Sequence, residues 1–103
     1  MIKTKELPWK ELRENVSFKA LTSDSSKNFQ LDIIKLEPNI KFGEHSHPDV
    51  EWVYILDGSM MDERGEYVKD DFIVNKKGSR HTVVSGNKGC EILCCWCGEV
   101  IPT

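Results

Sequence analysis

Residues 43–58 read GEHSHPDVEWVYILDG, and the spacing of two histidines and a glutamate within them decides the reading of the chain. His45, His47 and Glu51 share one parity, so a single strand through them is predicted to turn all three side chains to one face. His81, the remaining histidine, follows Gly78 in NKKGSRH, residues 75–81, where a neighbouring strand is expected to deliver it to the same point. Imidazole nitrogens and one carboxylate oxygen suit a divalent ion such as iron, zinc, manganese or nickel, and four protein ligands leave room for water or substrate. Isolated histidines are more often plain surface or core residues, and a lone His-x-His leaves both readings open.

The rest of the chain reads as strands. Short apolar segments alternate with Gly, Asn, Asp, Ser or Pro, and no long stretch repeats every 3.6 residues. Strands are predicted at Val16 to Leu21 and Phe29 to Leu36 around a polar turn, Thr22 to Asn28. Glu51 to Leu56 is expected to pair with Ser59 to Asp62 through a tight hairpin at Asp57 and Gly58, the favoured Asp-Gly turn. A second hairpin is placed around Arg64 and Gly65. Tyr67 and Val68, Phe72 to Asn75, His81 to Val84 and Cys90 to Cys97 supply the remaining strands, with breaks that include Ser85 to Gly89. The single predicted helix is a short turn, Trp9 to Glu14. Many short strands at regular spacing imply an all-β class, a small double-sheet barrel or jelly roll.

These residues resemble the cupin superfamily. The leading cupin motif, His-x-His, three residues, Glu, six residues, Gly, is matched by His45, His47, Glu51 and Gly58 without a spacing error. The trailing motif, Pro-x-Gly-x-x-His, is matched by Gly78 and His81, with Lys76 in place of the proline. Asn39 stands where a glycine usually opens the first motif, a change that Asn tolerates in left-handed turns, and Ser85 replaces the closing asparagine. The motifs span residues 39–58 and 65–85. The run from Pro38 to Glu99, with MMDERGEYVKDDF between the motifs, looks most like a ChrR-type cupin domain with an RmlC-like jelly roll, a double-stranded β-helix. The resemblance implies that His45, His47, Glu51 and His81 hold one divalent metal ion.

Composition bounds the function. At 103 residues the chain is expected to form one domain, residues 1–103. Its 14 basic and 17 acidic residues are interspersed, with a net charge of -3, which suggests neither nucleic acid nor an anionic membrane as partner. The N-terminus, MIKTKELPWKEL, has no apolar core of a signal peptide, so a cytoplasmic location is expected. Cys90, Cys94, Cys95 and Cys97 lie in KGCEILCCWCG, residues 88–98. A strand there turns Cys90 and Cys94 to the face of Ile92 and Trp96, and Cys95 and Cys97 to that of Leu93, so the four cannot converge on one ion. Thiols filling a barrel wall is the expected reading.

Along the ligand strand, Val53 and Ile55 are expected to point inward with Glu51, and Phe42, Phe72 and Val83 to line the same hollow. Trp52, Tyr54 and Leu56 are then outward, an apolar face to be covered by the N-terminal segment with Leu7, Trp9 and Phe18, or by a second subunit; a homodimer is favoured. Lys76, Lys77 and Arg80 flank the His81 turn as a solvated basic loop. For function, the leading reading is a metal-dependent, dioxygenase-like enzyme acting on a small molecule, with no catalytic acid or base identifiable. The second is a ChrR-like metal-binding sensor without the helical part that holds a sigma factor. A small-sugar isomerase or epimerase ranks lowest.

Overall fold

The computed structural model describes residues 1–97 and the backbone of 101 and 102. After one 3-10 turn at Thr4–Glu6, the described chain is built from strands: β1 Lys10–Arg13, β2 Val16–Asp24, β3 Phe29–Leu36, β4 Lys41–Ser46, β5 Glu51–Asp62, β6 Gly65–Val68, β7 Phe72–Asn75, β8 Arg80–Cys97 and β9 Ile101–Pro102. All pairings are antiparallel. The strands follow the order β1-β2-β3-β8-β4-β9, and β5 joins β8 to β6 and β7. The all-β expectation holds, and β3 and β7 have the predicted limits.

Two long strands replace the hairpin expected at Asp57 and Gly58 and the break expected at Ser85 to Gly89. β5 runs unbroken through Asp57 and Gly58, and β8 runs unbroken through Ser85 to Gly89, the two pairing from Glu51↔Trp96 to Met61↔Val84. The register slips between Ile55 and Asp57 and again between Gly58 and Met60. Gly58 (φ 74°) and Gly89 (φ 76°) sit against each other at that slip, and a Cβ on Gly58 would lie 2.1 Å from the Gly89 carbonyl oxygen. The glycines therefore serve a bulge and a close backbone crossing, which bend both strands across the barrel instead of reversing the chain. The reversal lies beyond Asp62, where Asp62 pairs with Gly65, as predicted for the Arg64 turn.

The N-terminal helix is also replaced. Lys10–Arg13 forms an edge strand on β2, because so short a segment does not sustain a helix alone while β2 offers an open row of backbone partners. The turn at Asn39 adopts φ 58°, the left-handed conformation expected there.

Inward side chains of β2 to β5, β7 and β8 meet in one apolar core that includes Leu36, Phe42, Val53, Ile55, Val83 and Ile92. Ile55 is completely buried, a burial that contributes about 1.5–3 kcal/mol. Phe72 departs from expectation. It is 60% exposed and Ile73 is buried, because β7 pairs Phe72 with outward Tyr54 and Ile73 with inward Val53. The cysteines follow their predicted parity: Cys90 and Cys94 are buried in the wall, Cys95 and Cys97 are half-buried, and all four are free thiols.

Candidate metal centre

His45 lies near the end of β4, directly opposite His81 near the start of β8. His47 follows β4 and is held by two backbone hydrogen bonds to the 76–79 turn: His47 N donates to Ser79 O (3.1 Å) and Gly78 N donates to His47 O (2.8 Å). Gly78 thus aligns the turn both for His81 and for His47. The expectation of one continuous strand through His45, His47 and Glu51 is corrected here, since β4 ends at Ser46 and β5 begins at Glu51. Pro48, which has no N–H for a ladder, and Asp49, whose carboxylate accepts from Val50 N at 2.8 Å, turn the chain between them. What unites the residues is convergence of two strands and a turn.

The histidines meet through their Nε2 atoms. His81 Nε2 lies 2.7 Å from His45 Nε2 and 3.1 Å from His47 Nε2, and the potential ligand atoms are all within 4.8 Å of one another. Nitrogens sharing one ion at about 2.0–2.1 Å are spaced by roughly 3 Å. Hydrogen bonding alone accounts poorly for three such atoms, because neutral imidazoles bring more lone pairs than protons to the point where they meet. The donor set therefore fits a divalent cation. His47 and His81 are buried and His45 is half-buried. Burial and the neighbouring imidazoles push the pKa of His47 down to about 4 and lower that of His45 as well, so both imidazoles are neutral at neutral pH.

Glu51 is buried beside this group. Its Oε2 is 3.7 Å from His47 Nδ1, its Oε1 accepts a 2.8 Å hydrogen bond from Asn75 Nδ2, and the Cys94 thiol is a further partner. Burial raises its pKa despite these bonds. The structure thus brings His45, His47 and His81 together and sets the Glu51 carboxylate against the Nδ1 edge of His47, an atom without a hydrogen-bond partner.

The supporting residues escaped the sequence reading. Asp62 Oδ2 accepts from His81 Nδ1 (3.1 Å), which points the His81 Nε2 lone pair to the centre. Asp62 in turn accepts from Arg64 Nη2, Arg64 N and Tyr67 Oη, each at 2.8 Å. Burial works against its charge, but these bonds outweigh burial and hold the carboxyl well below the usual range. Arg64 also donates to Asn75 Oδ1 (2.5 Å), so a continuous chain of bonds runs from His81 through Asp62, Arg64 and Asn75 to Glu51. The inward parity of Met60 and Asp62 was the available signal; placing a hairpin at Gly58 concealed it. Lys76, Lys77 and Arg80 are exposed, as a solvated loop requires.

His45, Glu51 and His81 form one wall of a cavity of about 130 Å³ whose other walls are mainly apolar, including Phe42, Val53 and Val83. The histidine cluster thus borders a mostly apolar pocket, the usual form of a small-molecule site.

Comparisons with known proteins agree with this architecture. A cupin-like protein of Ralstonia eutropha superposes with a TM-score of 0.92 at 15% identity, over 100% of this chain and 69% of that one. An acetylacetone dioxygenase of Acinetobacter johnsonii gives 0.82 at 13% identity, over 97% and 73%. A chain of the complex between Rhodobacter sphaeroides SigE and the anti-sigma ChrR gives 0.78 at 18% identity, over 91% and 50%. No curated protein sequence matches. These likenesses bear out the cupin fold, and residues 1–98 match the family model of the ChrR cupin-like domain. With its paired strands, its inward histidines and a match over nearly its whole length, the chain belongs to the ChrR cupin-like family.

Proposed function

We propose that His45, His47 and His81 hold one divalent metal ion, with Glu51 completing the set, and that the protein is a dioxygenase-like enzyme acting on a small molecule in the adjoining cavity. The convergence of three Nε2 atoms beside a mostly apolar pocket carries this reading. A bound ion would supply an open Lewis-acidic position and, where redox-active, a route to oxygen chemistry. The chain's part is positioning: Asp62 orients His81, the 76–79 turn fixes His47, and the apolar walls exclude water from the bound substrate. The fold shared with an acetylacetone dioxygenase supports an oxygen acceptor of ketonic type.

Metal analysis and oxygen uptake test it together. Protein purified without added metal is expected to carry about one redox-active ion per chain and to consume oxygen with small diketones, both lost in His45→Ala. Zinc alone, with no oxygen uptake under any diketone, refutes the enzyme and favours the second reading, a metal-binding sensor module, which the family match supports. Glu51→Gln isolates the fourth group: full metal content and activity would mean that the site is a three-histidine one.

The homodimer belongs to the same proposal. Trp9 stacks near Lys19 and Lys35 (4.5 and 5.6 Å), so the N-terminal segment covers the β2–β3 part of the outer face. Trp52, Val74 and Phe72 remain 38%, 41% and 60% exposed on β5 and β7, an apolar surface suited to a second copy. Sedimentation is expected to give a dimer that Phe72→Lys converts to monomer; a monomeric wild type refutes it.

A further inference from the structure

We propose that Arg13 is the specificity residue of the cavity and that the substrate is a small keto acid, its carboxylate held by Arg13 while its carbonyl end faces the histidines. The inference rests on the metal reading above and deepens it. Arg13 ends β1, and the β1–β2 register slips between Glu11 and Arg13. A bulge of this kind re-aims the side chains beside it, and Leu12 and Arg13 both reach the cavity wall. The reverse turn behind them is fixed: Asn15 sits at φ 66° and its carbonyl accepts from Glu37 N at 3.0 Å. The guanidinium carbon lies 4.7 Å from the centre of the Phe42 ring, a stacking that leaves the N–H edges free for a planar anion.

Arg13 makes no ion pair among the described residues. Arg13 and His45 line the same cavity. One cavity is therefore lined by an exposed cation, Arg13, by the apolar side chains of Val16, Leu36 and Val83, and by His45 and His81 with Asn75. A neutral, wholly apolar ligand would leave the cation unmatched; a large one would not enter. About 130 Å³ is close to the volume that accommodates a benzene-sized ligand, so roughly six to eight non-hydrogen atoms fit.

Levulinate and its length-matched neutral diketone, acetonylacetone, are the probes. Calorimetry on the full chain loaded with redox-silent zinc is expected to show levulinate binding about tenfold or more tightly, the range of a charge-assisted hydrogen-bonded pair. Added salt should weaken levulinate alone. Arg13→Gln should abolish the preference and Arg13→Lys preserve part of it, with zinc content unchanged in both. Equal affinities in the wild type, a preference that survives Arg13→Gln, or no binding of either probe at millimolar concentration overturns the proposal. Failure of the wild type to retain metal would instead sink the metal reading, and the same probe comparison on the metal-free protein would still decide the role of Arg13.

Discussion

Replacing Asp62 by Asn should weaken the metal centre without touching a ligand. The Asp62 side chain is 1% exposed and sits 3.1 Å from His81 Nδ1. It is the acceptor that selects the tautomer with a free Nε2, and its negative charge raises the basicity of the ring. An Asn side chain keeps the shape but loses the charge, and it has one carbonyl oxygen where His81, Arg64 and Tyr67 now use two carboxylate oxygens. His81 and the Arg64 guanidinium share Oδ2 while Tyr67 and Arg64 N share Oδ1, so one of these two pairs then faces an amide N–H. Loss of such an outer-shell partner costs about 10–100-fold in metal affinity, equivalent to about 1.4–2.8 kcal/mol. Competition against a chromophoric chelator for zinc or cobalt measures this directly. Tyr67→Phe removes one neutral donor to the same carboxylate and should cost less than about tenfold. An Asp62→Asn protein that folds as the wild type does and binds metal within about threefold of it would refute the orienting role.

Gly58→Ala should be severely destabilising, because the new Cβ falls 2.1 Å from the Gly89 carbonyl oxygen at φ 74°; a loss of about 3 kcal/mol, or roughly 12 °C in thermal midpoint, is expected, whereas Gly43→Ala, with nothing within 4 Å of its Cβ, should shift the midpoint little. Asp32 is 2% exposed and burial raises its pKa, opposed by Gln30. Its native form thus favours the proton, and the stability this confers is present in acid and lost as pH rises through the raised value. Asp32→Asn should therefore melt above wild type at pH 7, with the gap closing as the pH falls below the ordinary carboxylate range; thermal scans showing no gap at neutral pH would contradict it. Metal removal by a chelator should leave a folded protein with unchanged far-ultraviolet dichroism, since the backbone bonds of His47 to the 76–79 turn exist without an ion; the stability should fall only by linkage, by about 2.7 kcal/mol when free metal stands at a hundred times its dissociation constant.

The fold class was legible because alternation and turn residues are local signals. Phe29–Leu36 and Phe72–Asn75 have the limits that alternation assigns them. Long-range register was not. Asp-Gly at 57–58 has the composition of a tight hairpin, yet the same φ > 0 that a hairpin needs also serves a bulge, and only the partner strand, with Gly89 pressed against Gly58, decides between them. Phe72 failed for a related reason: a four-residue strand has two possible parities, and pairing with Val53 and Tyr54 chose the one that exposes it. The Trp9 to Glu14 segment became a strand because its partner, β2, supplied what local propensity could not.

The ligands and their supports differ in the same way. A metal restricts ligands to a few residue types, so His45, His47 and His81 stand out from the sequence as candidates even though the one-strand argument for the shared face of His45, His47 and Glu51 was mistaken and a turn lies within it. The supports are restricted by position alone. Asp62, Arg64 and Asn75 are ordinary residues in type, and each acquires its role from the two register slips of β5 and from the pairing of β5 with β7, which sets Asn75 directly opposite Glu51. Shifting β7 by one residue would turn Asn75 outward and leave the Glu51 carboxylate buried without its amide donor, a cost of several kcal/mol for an ionised group. That penalty makes the site and the sheet register interdependent. The polar chain from His81 to Glu51 specifies which pairing of β5 and β7 is native, while the apolar faces of Val53 and Ile73 supply the stability of that pairing.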